Sequence, residues 1–312
     1  MATGKMGKAT ATASGKAADA IELEGVRLTH PDRVLYPDQG ITKRALAEHY
    51  LAVADRMLPH VAGRPLSLVR CPGGEGKHCF FQRHDGSGVP EQIERIEIAE
   101  EDGPATYLVV RDAAGLVALV QMGVLEIHVW GAAETDLDRP DRIVFDLDPD
   151  PALPWARIVE AATSIRQDLN AMGLQSFVKT TGGKGLHVVV PVAPKEGWDA
   201  VRAFARAAAE AIAEEAPTLY TTNIRKDERG GRIFIDTLRN ARSASAVAPW
   251  STRALPGAPV ATPLTWAELP KAKPQDFTVA TVKERLTRSD PWADMPSIGQ
   301  TISAAAKKAL GL

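Results

Sequence analysis

Two aspartates stand one residue apart near the end of an apolar run: Asp146 and Asp148 in RIVFDLDPDP, residues 142–151. In an extended strand the side chains at i and i+2 share a face, so these carboxylates project side by side. Adjacent like charges are unfavourable unless something neutralises them, and Mg²⁺ and Mn²⁺ favour carboxylate oxygens. A second apolar run, RIFID, also ends on an aspartate, Asp236. A third carboxylate from a neighbouring strand would complete a two-ion site. Such a site activates an attacking oxygen and stabilises a leaving one in phosphoryl or nucleotidyl transfer. The plainer alternative is strand-end turn chemistry, with Asp148 capping a turn before Pro149, Asp146 merely exposed and Asp236 a strand-end turn residue.

KTTGGKGLHVVVP offers a complementary positive site. Gly182 and Gly183 free the backbone to present N–H groups to an anion, Thr180 and Thr181 add hydroxyls, Lys184 adds charge, and His187 opens the next strand. The spacing is not that of a Walker A loop, and no helix follows. A hairpin placing Thr181, Lys184 and His187 near a triphosphate competes with a plain glycine hairpin bearing an exposed lysine. His128 in VLEIHVW lies in an apolar strand, the usual setting of a core histidine. Arg253 in APWSTRALPG lies in a loop, where it could grip a phosphate bidentately or simply be solvated. Phe80 and Phe81 adjoin Lys77, His78, Arg83 and His84. Neighbours in an extended segment point opposite ways, so one ring of the pair is expected in solvent, where it could stack on a base; the alternative is that both rings lie in the core. Cys71, His78, Cys79 and His84 match no zinc-finger spacing.

These residues need elements to hold them. Thr42 is the expected N-cap of a helix whose apolar side carries Leu46, Tyr50, Val53 and Met57. PLSLVR, TYLVVR, LEIHVW, RIVFDLD and RIFID read as strands, and SFVKTTGGKGLHVVVP as strand, glycine turn, strand. Helices are expected near residues 155–172 and 198–215. Strands and helices intermix without a strict βαβ alternation, which points to α+β with more than one sheet. The 312 residues, 45% hydrophobic and 24% charged, suffice for a sizeable core. The net charge of −2 confines any nucleic-acid surface to a local patch. No apolar run approaches the ~20 residues of a membrane span, and no apolar leader opens the chain. Two cysteines make no disulfide framework, which fits a reducing, cytoplasmic setting. Residues 1–20, rich in Ala, Thr, Gly and Lys, read as a disordered linker, residues 21–300 as the folded domain and 301–312 as a short C-terminal helix.

Together, VLYPDQGITK, FFQRH, GVLEIHVW, RIVFDLDPD, VKTTGGKGLHVVVP, RIFIDTLRNA and APWSTRALPGAPVATPL resemble the polymerase domain of bacterial DNA ligase D, in the archaeo-eukaryotic primase superfamily. The resemblance runs in order through nearly all of the globular part. It implies two packed α/β modules with the active site in the cleft between their sheets. It implies Asp146, Asp148 and Asp236 as metal-binding carboxylates for two ions, Mn²⁺ in preference to Mg²⁺. Thr181, Gly183, Lys184 and His187 would meet the phosphates and sugar of an incoming NTP or dNTP, with ribonucleotides preferred, and His128 and Arg253 would face the same nucleotide. Phe80 and Phe81 would stack on the template or base pair. Arg33 and Lys43 would grip a 5′-phosphate across a gap, and Arg70, Lys77, Arg83 and Arg229 would be further DNA contacts. The implied setting is the bacterial nucleoid, filling short gaps at broken DNA before ligation in non-homologous end joining, with an end-binding protein as partner. No K-x-D-G nucleotidyl-lysine motif is present, so a ligase domain would lie elsewhere; the linker-like start favours a piece of a larger ligase over a stand-alone relative.

Three other readings compete. A haloacid-dehalogenase-type phosphatase also opens on D-x-D, but Pro149 stands against it. A D-x-D glycosyltransferase leaves the phenylalanine pair, Arg33 and Lys43 unexplained. A non-catalytic DNA-end-binding module gains nothing from three carboxylates beside phosphate.

Overall fold

The computed structural model describes residues 19–312. The linker expected over residues 1–20 lies outside the described residues except for Asp19 and Ala20, and Ala20 already opens a strand. Two small ribbons lead in: β1 (Ala20–Leu23) with β2 (Val26–Thr29), and β3 (Val34–Tyr36) with β4 (Ile41–Thr42). Thr42 then caps α1 (Lys43–Val61), its hydroxyl accepting from the Ala45 N–H at 3.2 Å. Leu46, Tyr50, Val53 and Met57 follow the 3.6-residue period and are fully buried, as expected.

The next strands are β5 (Leu66–Arg70), β6 (Phe80–Gln82), the hairpin β7 (Glu94–Glu100) with β8 (Gly103–Val109), and β9 (Val124–Trp130). Between β8 and β9 lies α2 (Ala113–Gln121), capped by Asp112. Its uninterrupted apolar sequence carries no amphipathic period, because it is buried in the first core between α1 and the sheet. After β10 (Arg142–Pro149) come α3 (Trp155–Ala171), β11 (Phe177–Thr180), β12 (Leu186–Pro191), α4 (Trp198–Glu215), β13 (Tyr220–Thr221), β14 (Ile233–Asp236), β15 (Ser245–Val247) and β16 (Pro263–Leu264). The chain finishes with α5 (Val282–Arg285) and α6 (Ala304–Ala309). No helix among the described residues is long and apolar enough to cross a membrane.

These elements form two modules. A four-stranded sheet, β15-β9-β5-β6, packs with α1 and α2 over one core, to which Ala248–Val260 return late in the sequence. A six-stranded sheet, β13-β14-β10-β12-β11-β16, packs with α3 and α4 over a second. β10 is central in its sheet, so Arg142–Leu147 are buried on both faces and read as an almost unbroken apolar run. The fold is thus α+β, with two packed sheet-and-helix modules.

One bond departs from the sequence reading. β5 pairs with β6 so that Arg70 faces Phe80. The next residues out, Cys71 and Cys79, are therefore opposite each other, 4.3 Å apart at Cα, and are joined by a disulfide. A zinc role for them is thereby removed.

Candidate active site

The carboxylates meet because of register. β10 runs antiparallel to both β12 and β14, and Asp146 is the Cα partner of His187 on one side and Asp236 on the other. Asp148, two residues on, shares their face. The local sequence explains the stop: Pro149 ends β10, and Asp236 turns the chain by accepting the Leu238 N–H at 2.7 Å. Asp146 is buried, 3.3 Å from His187 Nε2 and 3.3 Å from Arg239 Nε. Arg239 also approaches Asp236, at 3.7 Å. Burial pushes the Asp146 carboxyl up, but His187, Arg239 and Lys179 outweigh it and hold it well below the usual carboxylate range. Burial and Lys179 lower His187 to about 4, so at neutral pH a neutral imidazole faces an anionic carboxylate. Asp148 and Asp236 are raised, first by burial and then in part by Asp146. The cluster thus holds negative charge that its own cations do not fully compensate.

A cavity of about 390 Å³ opens above it. Its walls include Asp146, Asp148, Thr181, Gly183, Lys184 and His187 from the six-stranded module, and His128 and Arg253 from the other. Asp236 lines an adjoining cleft instead, shared with Arg202, Arg206 and Leu238. The glycine hairpin is tightly built. A Cβ on Gly185 would meet the Leu147 carbonyl oxygen at 2.5 Å, and Gly182 has φ +73° with Arg253 Cγ 2.7 Å from where its Cβ would stand. Gly183 has room, and its N–H donates to the Thr181 hydroxyl at 3.3 Å. The open backbone nest expected there is therefore partly closed by Thr181, whose hydroxyl donates on to Gly185 O at 3.2 Å. Lys184 is exposed at the cavity rim.

Across the cavity, His128 is not a plain core histidine. Its Nε2 lies 2.8 Å from Glu126 Oε2, and Phe81 meets its ring edge-on. Arg253 is not a solvated loop arginine: Nη1 donates to Thr181 O at 2.6 Å, and Nε stands 3.0 Å from Glu126. Glu126, Lys179 and Arg239 escaped the sequence reading. Two signals were present: Glu126 is two before His128 on one strand, and Arg239 is three after Asp236 at a strand end.

The expected DNA contacts scatter. Lys43 is buried, donating to Thr29 O at 3.0 Å and Gln121 Oε1 at 2.7 Å, both neutral acceptors. Arg33 lies beside it, exposed, with Nη1 on Pro72 O at 3.1 Å. Burial, then Arg33, lower Lys43 to about 8. Both phenylalanines are exposed, Phe80 at 38% and Phe81 at 55%, where only one was expected. β6 is the edge strand of its sheet, and all three of its residues are exposed or half-buried. Arg70 is engaged under Phe80, 5.4 Å from its ring, and bonded to Met122 O and Gln82. Lys77 and Arg83 are exposed. Arg229 lies in the main cavity, over the Phe234 ring and 4.0 Å from Asp148.

The donor set suits a hard divalent cation: three carboxylates on neighbouring strands, with charge left over. As they stand, no three His, Cys, Asp or Glu side chains among the described residues close on one point, and Arg239 holds the counter-ion position between Asp146 and Asp236.

Comparison with known proteins gives one answer. Residues 42–292 match the family model of the LigD primase-polymerase domain. The chain is 42% identical over 308 residues to the multifunctional non-homologous end joining protein LigD of Pseudomonas aeruginosa, covering 97% of this chain and 36% of that protein. It is 28% identical over 265 residues to the bifunctional LigD of Bacillus subtilis, covering 84% of this chain and 43% of that one. The polymerase domain of Mycobacterium tuberculosis ligase D, solved in complex with DNA, superposes with a TM-score of 0.82 at 33% identity, covering 88% of this chain and 99% of that domain. The chain therefore spans less than half the length of these two relatives and nearly all of the solved domain.

Proposed function

The chain belongs to the family of LigD primase-polymerase domains, metal-dependent and DNA-directed nucleotidyltransferases, and from that premise we propose that it fills short gaps at DNA double-strand breaks by templated nucleotide addition. The observation that carries this reading is that strand register sets Asp146, Asp148 and His187 in one wall of a cavity whose far wall holds His128 and Arg253, with Asp236 opposite Asp146 on the neighbouring strand. A pure end-binder has no use for carboxylates beside phosphate, and Pro149 directly after the D-x-D pair stands against the phosphatase.

In the proposed reaction the primer 3′-oxygen bonds to the α-phosphorus of the nucleotide and pyrophosphate leaves. Asp146, Asp148 and Asp236 would hold two ions, Mn²⁺ or Mg²⁺. Bound there, such ions would neutralise the carboxylates and polarise the attacking and leaving oxygens. The chain's own groups do the rest. Lys184 and Arg253 bring positive charge to the triphosphate, Thr181 and Gly183 shape the hairpin against it, and His187 keeps Asp146 ionised and oriented. Arg229 approaches Asp148 from the loop before β14.

Arg33 and Lys43 supply two adjacent cations for a 5′-phosphate on the far side of a gap, and Phe80 and Phe81 offer faces for stacking. Lys77 and Arg83 would add phosphate contacts and Arg70 would support Phe80. Ribonucleotide preference, a cytoplasmic setting at the bacterial nucleoid, and work beside a ligase domain and an end-binding protein complete the proposal.

The test is primer extension across a short gap, with and without a 5′-phosphate, in Mn²⁺ or Mg²⁺, offering NTP against dNTP. Templated addition that needs the metal and weakens without the 5′-phosphate is expected. Binding of gapped DNA with no addition under any of these conditions would leave an end-binding module in its place.

A further inference from the structure

Glu126 is a buried acid whose three contacts all lead to the nucleotide wall. Oε2 lies 2.8 Å from His128 Nε2 and 3.0 Å from Arg253 Nε, and Oε1 accepts the Ala254 N–H at 2.9 Å. The Arg253 contact is a charge contact and not an aligned hydrogen bond, since Nε has no aligned acceptor. Arg253 then reaches across to Thr181 O at 2.6 Å. One carboxylate thus links β9, the loop after Trp250 and, through Arg253, the glycine hairpin of the other module. A carboxylate is buried at high cost unless it is paired and hydrogen-bonded. Here burial raises the group, and His128, Arg253 and the Ala254 N–H together bring it to about 2, so it is ionised throughout the neutral range.

We propose that Glu126 is the positioning residue of the nucleotide site, holding the His128 ring and the Arg253 guanidinium in one fixed arrangement. Its charge fixes the tautomer: an anionic acceptor at Nε2 demands a proton there, which leaves Nδ1 of the neutral ring as an acceptor. Glutamine at this position still accepts from Ala254. It offers no charge to Arg253 and no preference for a proton on His128 Nε2. The inference rests on His128 and Arg253 facing the nucleotide.

Steady-state nucleotide addition on a gapped primer would be compared for the wild type, Glu126→Gln, Glu126→Asp, His128→Ala, Arg253→Ala and the double variant Glu126→Gln/Arg253→Ala. Loss of a buried charge partner is expected to raise KM for the nucleotide about tenfold, with kcat changed much less. Glu126→Asp, which keeps the charge on a shorter arm, should fall between. The double variant should lose less than the summed singles, because both remove the same arrangement. Nitrogen-15 shifts of His128 should report the Nε2–H tautomer in the wild type and a mixture in Glu126→Gln. Wild-type KM and tautomer in Glu126→Gln, with His128→Ala and Arg253→Ala impaired, would overturn the positioning role. So would parallel falls of kcat, KM performance and thermal midpoint in both Glu126 variants, which mark a merely structural acid. Unimpaired His128→Ala and Arg253→Ala would instead sink the nucleotide reading beneath it.

Discussion

The cleft and the Arg33/Lys43 corner are both charged, and they handle charge in opposite ways. In the cleft most ions are paired or hydrogen-bonded inside the protein, with some carboxylate charge left over for a cation: Asp146 with His187 and Arg239, Glu126 with His128 and Arg253, and Asp148 with Arg229. At the corner two cations stand together, and Lys43 is satisfied only by the neutral oxygens of Thr29 and Gln121. The first arrangement fixes geometry before any ligand arrives, as transition-state electrostatics require. The second leaves positive charge for an outside anion to compensate, which gives affinity that salt can screen. One region is built to do chemistry and the other to hold a phosphate.

The strongest way to break this contrast is Asp146→Asn. The change keeps the size and removes the charge at the centre of the cleft. Nucleotide addition should fall by on the order of 10³-fold or more, about 4 kcal/mol of barrier, while affinity for gapped DNA stays within about twofold. Single-turnover extension and a DNA titration on the same preparation check it. Loss of both together would mean that the acid cluster holds the fold and not the reaction. Next in size is Gly185→Ala. Its Cβ would stand 2.5 Å from Leu147 O, a backbone atom in a central strand that cannot move aside. A loss of about 2–3 kcal/mol is expected by thermal or urea unfolding, against less than about 1 kcal/mol for Gly183→Ala, where only the Thr181 hydroxyl is near. Equal costs at the two positions would show that the hairpin is looser than the contacts require.

The cleft was more legible in sequence than the corner or the links between the walls. Asp146, Asp148 and Asp236 could be found because a period of two and a strand end are local patterns. The long helices could be found because their apolar faces are local too, and α1 begins where Thr42 predicts. α2 could not, since a helix apolar all round carries no period. Nor could the Cys71–Cys79 bond, which depends on the register of β5 against β6. Arg229 and Arg253 were visible as cations, but their acids, Asp148 and Glu126, lie 81 and 127 residues away in sequence. The assignment of the whole to a polymerase came from the resemblance of several weak motifs in order, and not from any one of them.

The corner makes the smallest and most specific prediction. Burial and Arg33 bring Lys43 to about 8, from an ordinary 10.5. The folded value lies below the unfolded one, so the charged form is disfavoured by folding. Stability should therefore rise slightly as pH climbs from about 8 toward 10.5, where the unfolded chain keeps the proton and the folded chain has shed it. Phosphate recognition should run the other way, because an anion at the corner favours the ammonium. The preference for a 5′-phosphate over a 5′-hydroxyl should be nearly flat from about 7, where the phosphate (second pKa ~6) is already a dianion, to about 8, and weaken above that by at most about tenfold per pH unit. Lys43→Arg keeps its charge across that range and should stay flat, with a weaker starting preference if the longer guanidinium cannot reach both Thr29 and Gln121. Paired titrations of the two DNA ends at pH 7 and pH 9 decide it. A wild-type preference that does not change between them would mean that Lys43 serves only to tie α1 to its neighbours, leaving Arg33 to meet the phosphate alone.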